Sequence, residues 1–144
     1  MNKAEEILTG VIKEFEGCRL EAYRCPAGII TIGWGNTHDV RTGDVWTQEK
    51  ADSELTRMVK DHLQDAIEAS PILESQSPER CAAIADFIYN LGIGNYNKST
   101  LKKRVDAGDW QAAQTEIIRW NKAGGKELKG LTKRRAREAE LLEK

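Results

Sequence analysis

Histidine, cysteine and proline are scarce in this 144-residue chain, which has two, three and three of them. Cys18, Cys25 and Cys81 form no Cys-x-x-Cys pair, and two histidines add little, so no metal site is expected. An odd cysteine count argues against a disulfide-built secreted scaffold and points to folding in a reducing cytoplasm. No apolar run approaches bilayer-spanning length, and Met1-Asn2-Lys3-Ala4-Glu5-Glu6 lacks the basic and apolar regions of a secretory leader. The net charge of -1 indicates no global electrostatic partner. Repeats, low-complexity tracts and flexible linkers are absent.

What is present suits one compact domain, or two small lobes sharing a helix: 40% of residues are hydrophobic. Charge is unevenly spread. Residues 1–70 carry 8 Lys/Arg against 13 Asp/Glu, and residues 71–144 carry 14 against 10. From Lys122 to Arg137 seven basic residues accompany one acid, Glu127. That run suits either contact with an anionic polymer or a solvated helix face.

Ile7, Leu8, Val11, Ile12 and Phe15 recur at helical spacing, and Gly17 is placed to end that helix. Glu16 then sits at its last residue, where the negative end of the macrodipole disfavours an ionised carboxylate, as a general acid requires. From Tyr23 to Trp46 the β-branched and aromatic residues, set among Pro26, Gly28, Gly33, Gly35 and Gly43, predict two or three short antiparallel strands. Gly33-Trp34-Gly35 allows close backbone approach to a ligand, and a bulge explains it equally well. Thr47 caps a long helix toward Ser70 with His62 inside its apolar stripe. Ser77-Pro78-Glu79 starts another helix, burying Cys81, Ile84, Ala85, Ile88 and Leu91 and ending at the loop Gly92-Ile93-Gly94. Shorter helices follow from Ser99 or Thr100 to Val105, from Asp109 past Ile117, and from about Leu131 to Leu142. The class is α+β, mostly helical, with one small sheet near the front.

Three residues stand out for their chemistry. Glu16-x8-Cys25-x5-Thr31 sets a proton donor, a thiol and a hydroxyl around one strand-turn segment. Cleaving a glycosidic bond needs an acid for the leaving oxygen and a second group to activate water or stabilise the oxocarbenium-like transition state. Glu16 fits the first role. Cys25 takes the second if its thiol ionises, which neighbouring Arg24 favours. A Cys25–His38 nucleophile pair is the competing chemistry, with Asn36 and Asp39 nearby in sequence.

These residues lie in four ordered blocks that resemble phage-type lysozymes of glycoside hydrolase family 24. The blocks are Lys13-Glu14-Phe15-Glu16-Gly17 with Leu20-x-Ala22-Tyr23, then the Glu16/Cys25/Thr31 set running into Ile32-Gly33-Trp34-Gly35. Phe87-Ile88-Tyr89-Asn90-Leu91-Gly92-x-Gly94 with Ser99-Thr100-Leu101 is the third. Trp120-x-x-Ala123-Gly124-Gly125 with Gly130-Leu131-x-x-Arg134-Arg135-x-x-Glu138 is the last. The resemblance implies a lysozyme-like two-lobed fold over 1–144. Helix 1–16 precedes a small antiparallel β lobe at about 18–46, and a linking helix and larger helical lobe fill about 47–144.

The resemblance further implies Glu16 as proton donor, Cys25 at the position of the second catalytic group, and Thr31 positioning water. Arg135 is expected to pair with Glu16, with Arg134 the competing choice. Thr37, Tyr89, Ser99 and Thr100 fall at saccharide-contacting positions. Asn36 stands where the family often has histidine, and His38 is the residue able to substitute. The implied protein is a cofactor-free monomeric muramidase that hydrolyses peptidoglycan between N-acetylmuramic acid and N-acetylglucosamine and lyses the bacterial host. It would wait in the cytoplasm for release through a holin lesion, with no nucleic-acid partner and no membrane insertion. A wall-binding module without chemistry, a nucleic-acid binder using Lys122–Arg137, and a lytic transglycosylase are the alternatives.

Overall fold

The computed structural model describes every residue from Met1 to Lys144. Helix α1 (Lys3–Glu16) opens with a capping box, in which Asn2 and Glu5 exchange side-chain and backbone hydrogen bonds at 2.9 Å. It ends at Gly17, whose φ of +67° stops the helix directly after Glu16. Strands β1 (Arg19–Arg24) and β2 (Ile30–Gly33) pair antiparallel, with Tyr23 opposite Thr31 and Arg24 opposite Ile30. Beyond β2 the chain turns back at Asn36, which bridges Ile32, and rejoins the sheet at Val45, which bridges Glu21.

Helix α2 (Gln48–Ala69) is capped by Thr47, whose side chain accepts from the Lys50 amide at 3.1 Å. It links the small sheet to the helical body and packs against β2 and α1 as well as α3 (Pro78–Leu91). α3 is the centre of the molecule. Every residue from Cys81 to Ile88 is buried, because α1, α2 and α7 (Lys129–Glu143) all pack on it. Helices α4 (Ile93–Asn97), α5 (Thr100–Asp106) and α6 (Trp110–Ile117) close the far side. Their caps at Ser99 and Asp109 accept from the amides three residues on.

Four segments differ from the sequence expectation. β1 begins at Arg19, within the β lobe expected from about 18 but ahead of the strand texture read from Tyr23, since its first half is exposed and shows no two-residue alternation. Gly92-Ile93-Gly94 is not a plain loop but leads into α4. Pro71–Ser75 forms a 3₁₀ turn. Lys122–Ala123 (β3) and Lys126–Glu127 (β4) form an exposed hairpin around Gly124 and Gly125, both at positive φ.

Candidate active site

Glu16 emerges from α1 against the turn that follows β2. A Cβ placed on Gly35 (φ +93°) would lie 2.8 Å from Glu16 Oε1, and one on Gly33 (φ +65°) 2.8 Å from the Trp46 ring. The two glycines therefore serve close approach, and at Gly35 what approaches is the acid itself. Trp34 between them is tied on both sides. Its Nε1 donates to Asp52 on α2 at 2.9 Å, and its carbonyl accepts from the Tyr89 hydroxyl on α3. Asp52 also accepts from Gln48 at 3.0 Å, and the Trp34 and Gln48 donors hold its carboxyl below the usual carboxylate range.

Cys25 begins the tight turn between β1 and β2. Its carbonyl accepts from the Gly28 amide at 2.8 Å, and its amide donates to the Ile29 carbonyl at 2.9 Å. Folded this way, the chain aims backbone amides at the sulfur. The Ile29 amide, with those of Ala27 and Gly28 and the Thr31 hydroxyl, holds the thiol below its ordinary value and outweighs partial desolvation. Thr31, directly opposite Tyr23, is 5% exposed and also reaches the Ile29 carbonyl at 3.0 Å. The structure thus brings Cys25 and Thr31 together.

The ion pair expected of Arg135 belongs to Arg134. Arg134 Nη1 donates to Glu16 Oε2 at 2.6 Å, while Nε and Nη2 clasp Asp86 at 2.9 and 2.8 Å. One residue further along α7, Arg135 turns into the core. There its Nη2 bonds Glu138 at 2.9 Å and the Asn90 side-chain oxygen at 2.8 Å. Consecutive helix positions differ by about 100° in direction, so only one of the two arginines can face Glu16. Asp86 and Glu138 are both fully buried. Burial and the adjoining Asp86 push Glu138 well above the usual carboxylate range. Burial acts the same way on Asp86, but the Glu138 hydrogen bond and the Arg134 cation reverse the sign and hold it below.

The other expected residues are dispersed. Thr37 is exposed and lines a groove of about 520 Å³ with Asn36, His38, Trp46, Met58 and His62. His38 is 92% exposed and reaches only Asp39, at 3.2 Å. Asn36 is buried against Met58, and its backbone pairs with Ile32. His62 packs on the Tyr89 ring at 5.0 Å. Tyr89 anchors the glycine turn, and burial and the nearby Glu16 charge raise its phenol. Ser99 is buried, and its hydroxyl caps α5, accepting from the Lys102 amide and donating to the Tyr96 carbonyl. Thr100 beside it is exposed. Trp120 packs edge-on against Phe87 in the core, at 5.4 Å.

Asp86, Glu138 and Asn90 were not anticipated as site residues. Asp86 did leave a signal: it is the one acid inside the apolar run from Cys81 to Ile88, where only a buried partner of opposite charge makes it tolerable.

A family model described as phage lysozyme matches residues 13–138, from the end of α1 to Glu138. The chain belongs to the phage lysozyme family. An endolysin of Acyrthosiphon pisum secondary endosymbiont phage 1 is 37% identical, over 92% of each chain. A SAR-endolysin of Haemophilus phage HP1 is 33% identical, over 97% of this chain and 81% of that protein. Among solved structures, the muramidase domain of SpmX from Asticaccaulis excentricus superposes with a TM-score of 0.83 at 28% identity, over 99% and 98% of the two chains. The endolysin of Escherichia coli O157:H7 phage FAHEc1 does so at 0.78 and 30%, over 98% and 91%. This phage lysozyme has the lysozyme-like fold, mostly helical with two small antiparallel sheets. None of its helices is long and apolar enough to cross a membrane.

Proposed function

We propose that this phage lysozyme hydrolyses the β-1,4 bond between N-acetylmuramic acid and N-acetylglucosamine in peptidoglycan, with Glu16 as general acid. The carrying observation is the Glu16–Arg134–Asp86 linkage. It holds Glu16 Oε2 from behind, so Oε1, against the Gly35 turn, is the oxygen left to carry the proton. Glu16 gives that proton to the leaving glycosidic oxygen as the bond to the anomeric carbon breaks. Cys25, with its thiolate favoured by the turn amides, takes a proton from water or stabilises the cationic sugar. Thr31 steadies the water, and attack from the opposite face gives inversion.

The enzyme class, a peptidoglycan-hydrolysing lysozyme, follows from the family. The residue roles are supported by their sequence spacing and by the hydrogen bonds above. Thr37, which lines the groove along α2, and Tyr89, packed against the groove residue His62, are the side chains we assign to saccharide contact. We further take the enzyme to act as a monomer that reaches the wall through a holin lesion. Cells making the chain would then lyse only when the inner membrane is breached, and lysis without a breach would refute that route.

Turbidity loss of outer-membrane-permeabilised Gram-negative cells tests the chemistry. The parent should clear them, and Glu16→Gln should be inert, with a loss of two orders of magnitude or more, on the order expected when a general acid is removed. Cys25→Ser should be slowed but measurable. A folded, reduced parent that fails to clear would refute the enzyme reading in favour of a wall-binding module.

A further inference from the structure

The cavity beside Glu16 contains a polar group for which general-acid catalysis has no use. It encloses about 330 Å³ between Phe15, Leu128, Gly130 and Leu131 on its apolar sides, and Glu16, Arg134 and Asn90 on its polar side. Leu128 is 45% exposed at its rim, and nothing lies within 4 Å of where a Gly130 side chain would start, so the cavity is open. Arg134 has committed its nitrogens to Asp86 and Glu16.

Asn90 has not. Its side-chain oxygen accepts from Arg135 Nη2 at 2.8 Å. A guanidinium only donates, so the atom facing Arg135 must be the amide oxygen, and the amide nitrogen is turned away from it. Arg135 cannot swing to release it, being fully buried and held by Glu138. No protein group accepts from Asn90 Nδ2, and that atom is not among the buried orphans. The amide is thus a donor fixed in direction and open to the cavity, with no protein acceptor.

We propose that Asn90 is a substrate-binding residue whose Nδ2–H donates to the carbonyl of an acetamido group, seating an N-acetylated amino sugar beside Glu16. The choice of ligand follows from the lining. An acetamido group offers a neutral acceptor for the amide and a methyl for Phe15, Leu128 and Leu131. A free carboxylate would meet Glu16 with no uncommitted cation to balance it, and a bare hydroxyl would leave the apolar wall unfilled. Arg135 acts through Asn90 as a positioning residue. The proposal rests on the muramidase reading above and adds to it what the site recognises.

The test compares intact peptidoglycan with chemically de-N-acetylated peptidoglycan, using the parent, Asn90→Ala and Asn90→Asp. The aspartate variant keeps an acceptor for Arg135 and removes the donor, while adding a negative charge beside Glu16. On intact wall both variants should lose about tenfold in kcat/KM, the size of one good hydrogen bond. On de-N-acetylated wall, whose free amines are cationic, the parent and the neutral Asn90→Ala variant should be alike within about twofold. For Asn90→Ala the ratio of the two substrates cancels folding effects common to both, and sedimentation binding gives the same ratio where turnover is slow. Equal loss on both walls, or no loss on intact wall, would overturn the acetamido assignment. A parent inactive on either wall would instead overturn the muramidase reading beneath it.

Discussion

Cys25 shows how a backbone turn can set the chemistry of one atom. Because amides of Ile29, Ala27 and Gly28 point at its sulfur, its thiolate persists to lower pH than that of an ordinary thiol. Iodoacetamide should therefore modify Cys25 with a rate that rises through an inflection below the free-cysteine range, followed by mass spectrometry of the labelled peptide. Cys81 should resist until the protein unfolds: it is buried, its thiol faces the Leu73 carbonyl at 3.0 Å, and desolvation raises its value. An inflection at or above that of free cysteine would show that the amides do not stabilise the thiolate. Arg134 is the other decisive residue. Arg134→Ala would leave Asp86 buried without its cation, and thermal unfolding should report a loss of about 3–5 kcal/mol. Arg134→Lys should recover only part of this, because one ammonium cannot clasp Asp86 and reach Glu16 with the geometry of a fork.

At the scale of elements, the turn Gly33-Trp34-Gly35 is the piece that joins the sheet to the catalytic acid. Gly35→Ala adds a methyl 2.8 Å from Glu16 Oε1 and strains a backbone at φ +93°. Clearing rate should fall tenfold or more, chiefly in kcat, while far-UV circular dichroism stays unchanged; an unaltered rate would mean that Glu16 is not pressed by the turn. This turn was legible in sequence as a place of close approach, but not what approached, since the partner comes from another element. The helices were readable because their caps and apolar stripes are local: Thr47, Ser77 and Asp109 each begin a helix where the sequence placed it. The first half of β1 and the 122–127 hairpin were not, because exposed strands carry no burial pattern. The choice between Arg134 and Arg135 was beyond a one-dimensional reading, since it depends on the rotation of α7 against α3. The basic run Lys122–Arg137 misled for the same reason, as two of its seven cations, Arg134 and Arg135, face inward.

For the molecule as a whole, the charged cluster in the core makes stability depend on pH in two opposite senses. Glu138 is raised in the folded state, so its contribution is complete below the usual carboxylate range and is lost as pH rises through its folded value. Asp86 is lowered, so its contribution is present above that range and is lost as pH falls through its folded value. Glu138→Gln keeps a neutral donor for Asp86 while removing the titration. Melting temperatures of this variant should fall less than those of the parent between weakly acidic and alkaline pH, with little cost at the acidic end. Parallel curves would show that Glu138 is already ionised in the native protein.

Glu16 and the arginine that holds it are 118 residues apart in the chain. A ribosome therefore releases the acid, the thiol and the glycine turn long before it releases the residue that fixes the acid in place. A nascent chain shorter than 134 residues has the catalytic side chains but no arginine to hold Glu16. Synthesis itself thus sets a timer, and a cell making this enzyme meets a finished active site only once translation has reached α7.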